Sequence, residues 1–303
     1  MTPVIPQPPA SRHPSRTHEI SLSNNVRDKS LPFKGAYDPP DNQGWVRKPQ
    51  NQIANKGRIA ILDTRNANQA AINGLAAIAK KTVGVIRLSG TRSGERSVKT
   101  LPADAQATAV LIEWTASGDS PLNAAGLDLR GADLSDADLT EGLFTESVLR
   151  DVNLSGSDLY RSHLERGELE GANLSGATLV KAVLDESSLT GAILDRADLG
   201  SVQAWAVDAR GASFRSAKLD GAGLLDVKLQ GADLSNASVQ QTSFQVFMDE
   251  RTTVLGLTGT VFGPAYVTEG SELRAVTGAD LEAWLNSRGA HVQVLPPLRG
   301  YGQ

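Results

Sequence analysis

Clusters of acidic residues are the part of this sequence whose types and spacing could do chemistry. Three glutamates fall within residues 165–170 and three aspartates within 133–138. Neighbouring carboxylates can serve as a general acid and a general base. The other catalytic residue types are sparse, because the chain has no cysteine and its four histidines share no metal-ligand spacing. No Ser–His–Asp arrangement can be assembled from the sequence.

A five-residue period positions these acidic residues. An apolar residue, most often Leu, recurs at every fifth position from Leu129 to Phe244, and the residue two places earlier is usually Ala, Gly or Ser. A step of five fits neither the 3.6-residue period of a helix nor the two-residue period of a strand. A long period of this kind indicates a repeat architecture.

The segments GADLSDADLT, GANLSGATL and GADLSNAS resemble the pentapeptide-repeat family, whose consensus is A-(D/N)-L-x-x. The resemblance implies a mainly β fold: a right-handed quadrilateral β-helix, with one pentad per side and about six coils over residues 122–246. The apolar residue and the small residue two places before it point inward, and the other three point outward. In this family Asp or Asn before the apolar residue solvates the outer face. We therefore expect no catalytic residues, no metal and no cofactor.

The inward residues form the predicted core. Where the apolar position shrinks to Ala204 and Ala209, the position two places earlier grows to Val202 and Val207, as close packing requires. A glycine column on one side, which includes Gly211, predicts turns with positive φ on that side. The predicted core stack includes Leu129, Leu134, Leu139, Phe144, Leu149, Leu154, Phe214 and Phe244.

Several large apolar residues fall at outward positions on the side that contains Phe144 and on the side before it. Val246 is also predicted to point outward. Exposed apolar residues this close together indicate a docking face. The alternative is that the chain's own N-terminal domain or C-terminal helix covers them. The predicted face consists of Leu143, Tyr160, Val180, Val183, Trp205 and Leu225.

Residues 1–50 carry nine of the 14 prolines and few large apolar residues. Such a segment cannot bury enough surface to fold alone. It is either a disordered tail or an extended arm that becomes ordered against a partner. In the second case the aromatic residues Tyr37 and Trp45 are the expected anchors.

Two further regions flank the repeat. Residues 51–121 indicate a small α/β domain, with strands at 57–63, 82–90 and 107–114 and a helix at 66–81. Residues 247–303 indicate a C-terminal cap for the solenoid. There, Thr277 is the expected N-cap of a short helix, Gly289 its stop signal, and a final strand follows.

Charge is unevenly distributed. Residues 1–121 contain 16 Lys/Arg and 9 Asp/Glu, whereas residues 122–246 contain 10 and 19. The two parts could therefore attract each other. No segment approaches the roughly 18 consecutive apolar residues of a membrane span. We expect a soluble protein, cytoplasmic or virion-associated, that binds neither membrane nor nucleic acid.

These features favour a non-enzymatic structural or protein-interaction protein. It would be a rigid β-helical module that its N-terminal arm docks into a larger assembly, such as a phage virion or injection particle. One alternative is an acidic DNA mimic that binds a type II topoisomerase and protects gyrase, as some family members do. Mixed charges on each side and the basic N-terminal region oppose this. A second alternative is a secreted effector. The sequence does not identify the partner, and it does not decide whether the protein forms a homo-oligomer through its cap.

Overall fold

The computed structural model describes residues 60–62, 86–88, 96–116 and 120–296. The predicted arm with Tyr37 and Trp45, and the helix predicted at 66–81, lie outside the described residues. Two short strands, β1 (Ala60–Leu62) and β2 (Ile86–Leu88), pair in parallel. Each of them lies inside a segment that the sequence predicts as a strand.

A parallel β-solenoid begins after residue 120, and the predicted mainly β fold is confirmed. Backbone bridges join residues 20 positions apart, from the pair Asn123–Leu143 to the pair Asp233–Thr253. Since the sequence period is five, each coil has four sides of one pentad. A hydrogen bond closes each corner between two pentads. Its donor is the backbone N–H of the small inward residue of one pentad, and its acceptor is the carbonyl of the apolar residue of the pentad before it, as in Ala137 to Leu134 at 3.2 Å.

The corner turns use a left-handed residue on all four sides. On the predicted glycine side, Gly211 has a φ of 66°. The same corner position on the other three sides is also left-handed, at Asp136 (58°), Arg161 (56°) and Glu146 (59°). The sequence prediction of positive φ on one side was therefore too narrow. A positive φ at the third residue of a four-residue turn is the type II geometry, and the closed coil imposes it whatever the residue.

The two inward positions of each pentad fill the interior. All eight residues of the predicted core stack lie there, with side-chain exposures of 5% or less. An apolar cavity of about 20 Å³ remains beside Ala204 and Ala209, and Val202 and Val207 line it. The larger valines therefore replace most, but not all, of the volume that the two alanines leave.

An N-terminal helix closes the first coil, and it corrects one prediction. Residues 107–114 were predicted as a strand but belong to helix α1 (Ala105–Ala116). The carboxylate of Asp104 accepts the N–H of Ala107 at 2.7 Å, which caps the start of the helix. Leu111, Ile112 and Trp114 are buried in the same core as the coils.

Regular strands replace isolated bridges towards the C-terminus. The strands β3 (Gln203–Trp205), β4 (Gly223–Lys228), β5 (Ser238–Asp249) and β6 (Thr258–Phe262) stack in parallel. Val246 lies in β5 and is buried, contrary to prediction, because β5 continues past the corner and alternate side chains keep pointing inward.

The chain ends in a cap built on β5 and β6. Strands β7 (Ala265–Glu269) and β8 (Glu272–Val276) form an antiparallel pair beside β5. Helix α2 (Gly278–Asn286) begins after Thr277, and Gly289 follows it with a φ of 84°. The last strand, β9 (His291–Leu295), pairs with β6.

Helix α2 also blocks the outer edge of β9. The side-chain amide of Asn286 accepts the N–H of Val292 at 2.9 Å and donates to its carbonyl at 3.0 Å. One turn earlier on the helix, the carboxylate of Glu282 accepts the N–H of Val294 at 2.9 Å. These bonds occupy backbone groups that an additional strand would otherwise pair with.

Candidate docking face

The structure places the six predicted docking residues on two adjoining sides of the coil. Leu143 and Val183 lie in one column of outward positions on the Phe144 side, with His163 bridged between them. Trp205 and Leu225 lie in a second column on that side and face each other across the β3–β4 pair. Tyr160 and Val180 lie in one column on the preceding side.

The exposure of these residues divides the face into two parts. Trp205 is 48% exposed, Leu225 41% and Leu143 39%, whereas Tyr160, Val180 and Val183 are half-buried. Helix α2 packs on β9 and leaves Trp205 exposed. The C-terminal helix is therefore not the element that covers this face.

A groove runs along the corner between the two sides. Its volume is about 590 Å³, and it lies between Leu143 and Val183 on one wall and Arg161 and Lys181 on the other. Pro121 lies at one end. One wall also contains His163, and the other also contains Glu141, whose carboxylate lies 3.9 Å from the guanidinium of Arg161, so the second wall carries mixed charge.

Three polar contacts in this region were missed by sequence reasoning. The ring of Tyr160 lies 5.5 Å from the guanidinium carbon of Arg161 and 6.0 Å from Nζ of Lys181, within range of cation–π attraction. His163 Nδ1 lies 2.8 Å from Oε1 of Glu165. The 20-residue coil period would have indicated the Tyr160–Lys181 contact, because the two residues are 21 positions apart.

The glutamate cluster at residues 165–170 is partly ion-paired. Glu168 and Glu170 both lie 3.1 Å from Nε of Arg150 on the previous coil. Arg166 pairs with Glu146 at 2.8 Å. In the described part of the chain, no group of three or more His, Cys, Asp or Glu residues is arranged to hold a metal ion. The arrangement fits a solvated outer surface, as the repeat pattern indicates.

Arginines also neutralise aspartates within single pentads. The side-chain hydrogen bond from Arg210 lowers the pKa of Asp208 below its usual value, and a hydrogen bond from Arg130 does the same for Asp128. The corresponding nitrogen–oxygen distances are 2.7 and 2.6 Å. These carboxylates are charged at neutral pH, but adjacent cations offset their charge.

Three further exposed apolar residues were not predicted. Ile193 is 41% exposed, Leu255 61% and Leu273 57%. Ile193 occupies a position where the repeat consensus has Asp or Asn, and that departure is the signal that could have identified it. No helix among the described residues is both long enough and apolar enough to cross a membrane.

The geometry defines a class of protein, a β-solenoid with five-residue sides. Comparison with protein families agrees: the family "Pentapeptide repeats" matches in eight copies, at residues 128–166, 168–202 and 205–245. Residues 128–245 of this chain are therefore pentapeptide repeats. A search of curated proteins gave no match.

Comparison with solved structures gave matches to other pentapeptide repeat proteins. A pentapeptide repeat protein from the thylakoid lumen of Arabidopsis thaliana is 25% identical over 40% of this chain and 71% of its own, with a TM-score of 0.25. HetL, a pentapeptide repeat protein of the cyanobacterium Nostoc involved in regulating heterocyst differentiation, is 28% identical over 45% and 82%, with a TM-score of 0.17.

QnrB1, a plasmid-mediated fluoroquinolone resistance protein, is 16% identical over 58% of this chain and 92% of its own, with a TM-score of 0.34. All three TM-scores are below 0.5. The three similarities assign no activity to this chain.

Proposed function

We propose that this protein is a non-enzymatic interaction module that binds another protein through the docking face. The observation that carries the proposal is the exposed Trp205–Leu225 pair, held on adjacent coils by the parallel β3–β4 register. An exposed tryptophan on a regular backbone provides a large contact area at little entropic cost. The assembly in question is a larger particle, such as a phage virion or injection particle, to which the N-terminal arm adds Tyr37 and Trp45 as anchors.

A DNA-mimic function has weaker support. A mimic needs a continuous row of unpaired negative charge, but arginines on the coils neutralise many carboxylates, as Arg150 does for Glu168 and Glu170. QnrB1 is too distant in sequence to argue for a shared function. A secreted effector requires a delivery signal, and no observation on the described residues favours one.

The test compares four proteins as bait for partners from the native source: full-length protein, a variant lacking residues 1–50, Trp205→Glu and Leu255→Glu. Leu255 is exposed but lies on another side of the coil, so Leu255→Glu is the matched control. Circular dichroism checks that each variant folds.

The proposal expects a stoichiometric assembly with the full-length protein and with Leu255→Glu. It expects loss of that assembly with Trp205→Glu and with the variant that lacks the arm. Equal capture by Trp205→Glu would refute the docking face. Retention of gyrase alone by all four proteins would favour the DNA mimic instead.

A further inference from the structure

The surroundings of Trp205 and Leu225 are acidic. Asp185 lies one coil earlier in the same outward column, and its carboxylate accepts the backbone N–H of Trp205 at 2.9 Å. Glu186 and Asp226 lie at the adjacent corner positions, both with positive φ. Among the described residues, none of these three carboxylates lies within ion-pair distance of a Lys or Arg nitrogen, unlike the arginine-paired carboxylates elsewhere on the coils.

This charge pattern restricts the occupant. A second copy of the same face would bring Asp185, Glu186 and Asp226 close to their own equivalents, and like charges across an interface are strongly disfavoured. An acidic segment is disfavoured for the same reason. The patch therefore fits a segment that carries an apolar side chain with Lys or Arg beside it.

One segment of this chain has that composition. Residues 43–58, QGWVRKPQNQIANKGR, contain four Lys/Arg and no Asp or Glu, together with Trp45, Val46 and Ile53. They end one residue before β1 begins, and 37 residues separate Arg58 from Arg96, where the described residues of the N-terminal cap begin. The strand pair β1–β2 lies within that stretch, so the chain available for reach is residues 89–95, which span at most about 25 Å, and the segment itself, whose 16 residues span at most about 55 Å. Together these lengths let Trp45 reach the coils that follow the cap.

We propose that residues 43–58 occupy the Trp205–Leu225 patch of their own chain. Trp45 packs against the exposed apolar pair, and Arg47 and Lys48 lie against Asp185, Glu186 and Asp226. The inference rests on the proposed function, since it assigns an occupant to the same face. In the free protein the tether keeps the effective concentration of the segment at the patch high. In the assembly the partner takes the patch, and Trp45 is released to act as an anchor.

Photo-crosslinking of the full chain tests this contact. A benzoylphenylalanine is placed at Trp205, with the same substitution at Leu255 as the matched control. The crosslinked protein is separated by mass, and the joined peptides are identified by mass spectrometry. The expected product has the mass of a monomer and joins position 205 to residues 43–58, and the control does not form it.

A charge-reversed variant adds a second readout. Arg47→Glu with Lys48→Glu should lower the yield of the crosslink roughly tenfold, because two attractive charge pairs become repulsive. Three results would each overturn the inference. They are crosslinks from position 205 to other segments, crosslinks found only at the mass of a dimer, and a crosslink yield that the charge reversal does not change.

The outcome is separable from that of the proposed function. If Trp205→Glu abolishes partner capture but position 205 never crosslinks to residues 43–58, the interaction module stands and the self-contact is wrong. If the crosslink forms while Trp205→Glu captures partners normally, the self-contact stands and the proposed docking face is wrong.

Discussion

Two glycines with positive φ allow a direct test of how the solenoid uses its backbone. Gly211 is a corner residue with a φ of 66°, and no atom lies within 4 Å of the place its Cβ would occupy. Gly259 lies in β6 with a φ of 131°. A Cβ there would lie 2.7 Å from the carbonyl carbon of Val239 and 2.8 Å from the backbone nitrogen of Gln240.

The same substitution should therefore have different consequences at the two positions. Gly211→Ala introduces only the cost of a left-handed alanine, about 1 kcal/mol. Gly259→Ala places a side chain in a backbone region that essentially only glycine enters and against backbone atoms of the paired strand β5, which cannot move independently. We expect a loss of about 3 kcal/mol or more in the free energy of unfolding.

Urea unfolding followed by circular dichroism measures both losses. Gly211→Ala serves as the control for the general effect of adding a methyl group at a positive-φ glycine. Equal losses in the two variants would show that the close approach of β6 to β5 has no energetic consequence, and the reasoning would fail.

Three other changes test the caps. Asp104→Ala removes the N-cap of α1 and should cost about 1 kcal/mol in a urea titration, with Asp104→Asn close to wild type. Asn286→Ala frees the N–H and carbonyl of Val292 at the edge of β9, so we expect more self-association in sedimentation velocity, and an unchanged monomer would refute the edge-blocking role. The hydrogen bond from Trp284 lowers the pKa of Glu269. A folded-state pKa below the unfolded value of about 4.3 gives stability that is present above that pH and lost as pH falls. The melting temperature of wild type should therefore fall more between pH 5 and pH 3 than that of Glu269→Gln.

The coil could be predicted from the sequence because every pentad repeats the same pattern of an apolar residue with a small residue two places before it. Leu129 and its equivalents must be inward, since a shift of one residue would expose all of them together. The same register also indicated which side would carry Trp205 and Leu225. Corner conformations were only partly predictable: glycine reveals a positive φ at Gly211, whereas Arg161 has the same conformation with no local signal.

The caps were less predictable because each is a single occurrence. Residues 107–114 form a short, mostly apolar run, which suits a strand as well as a buried helix, and the sequence analysis did not identify Asp104 as the helix start. The contact of Asn286 with Val292 joins a helix to the edge of a strand that no repeat describes. The prediction that Val246 points outward was wrong because β5 continues past the last pentad of the repeat.

The fold leaves most of its surface free to vary. Only two of five positions in each pentad point inward, so packing in the core does not dictate the outward residues. A leucine or tryptophan outside the core is therefore not explained by folding. Trp205 and Leu225 are exposed, adjacent and surrounded by carboxylates without a cation partner among the described residues. The binding that we propose at this patch accounts for all three properties at once, and the acidic clusters offer no comparable combination.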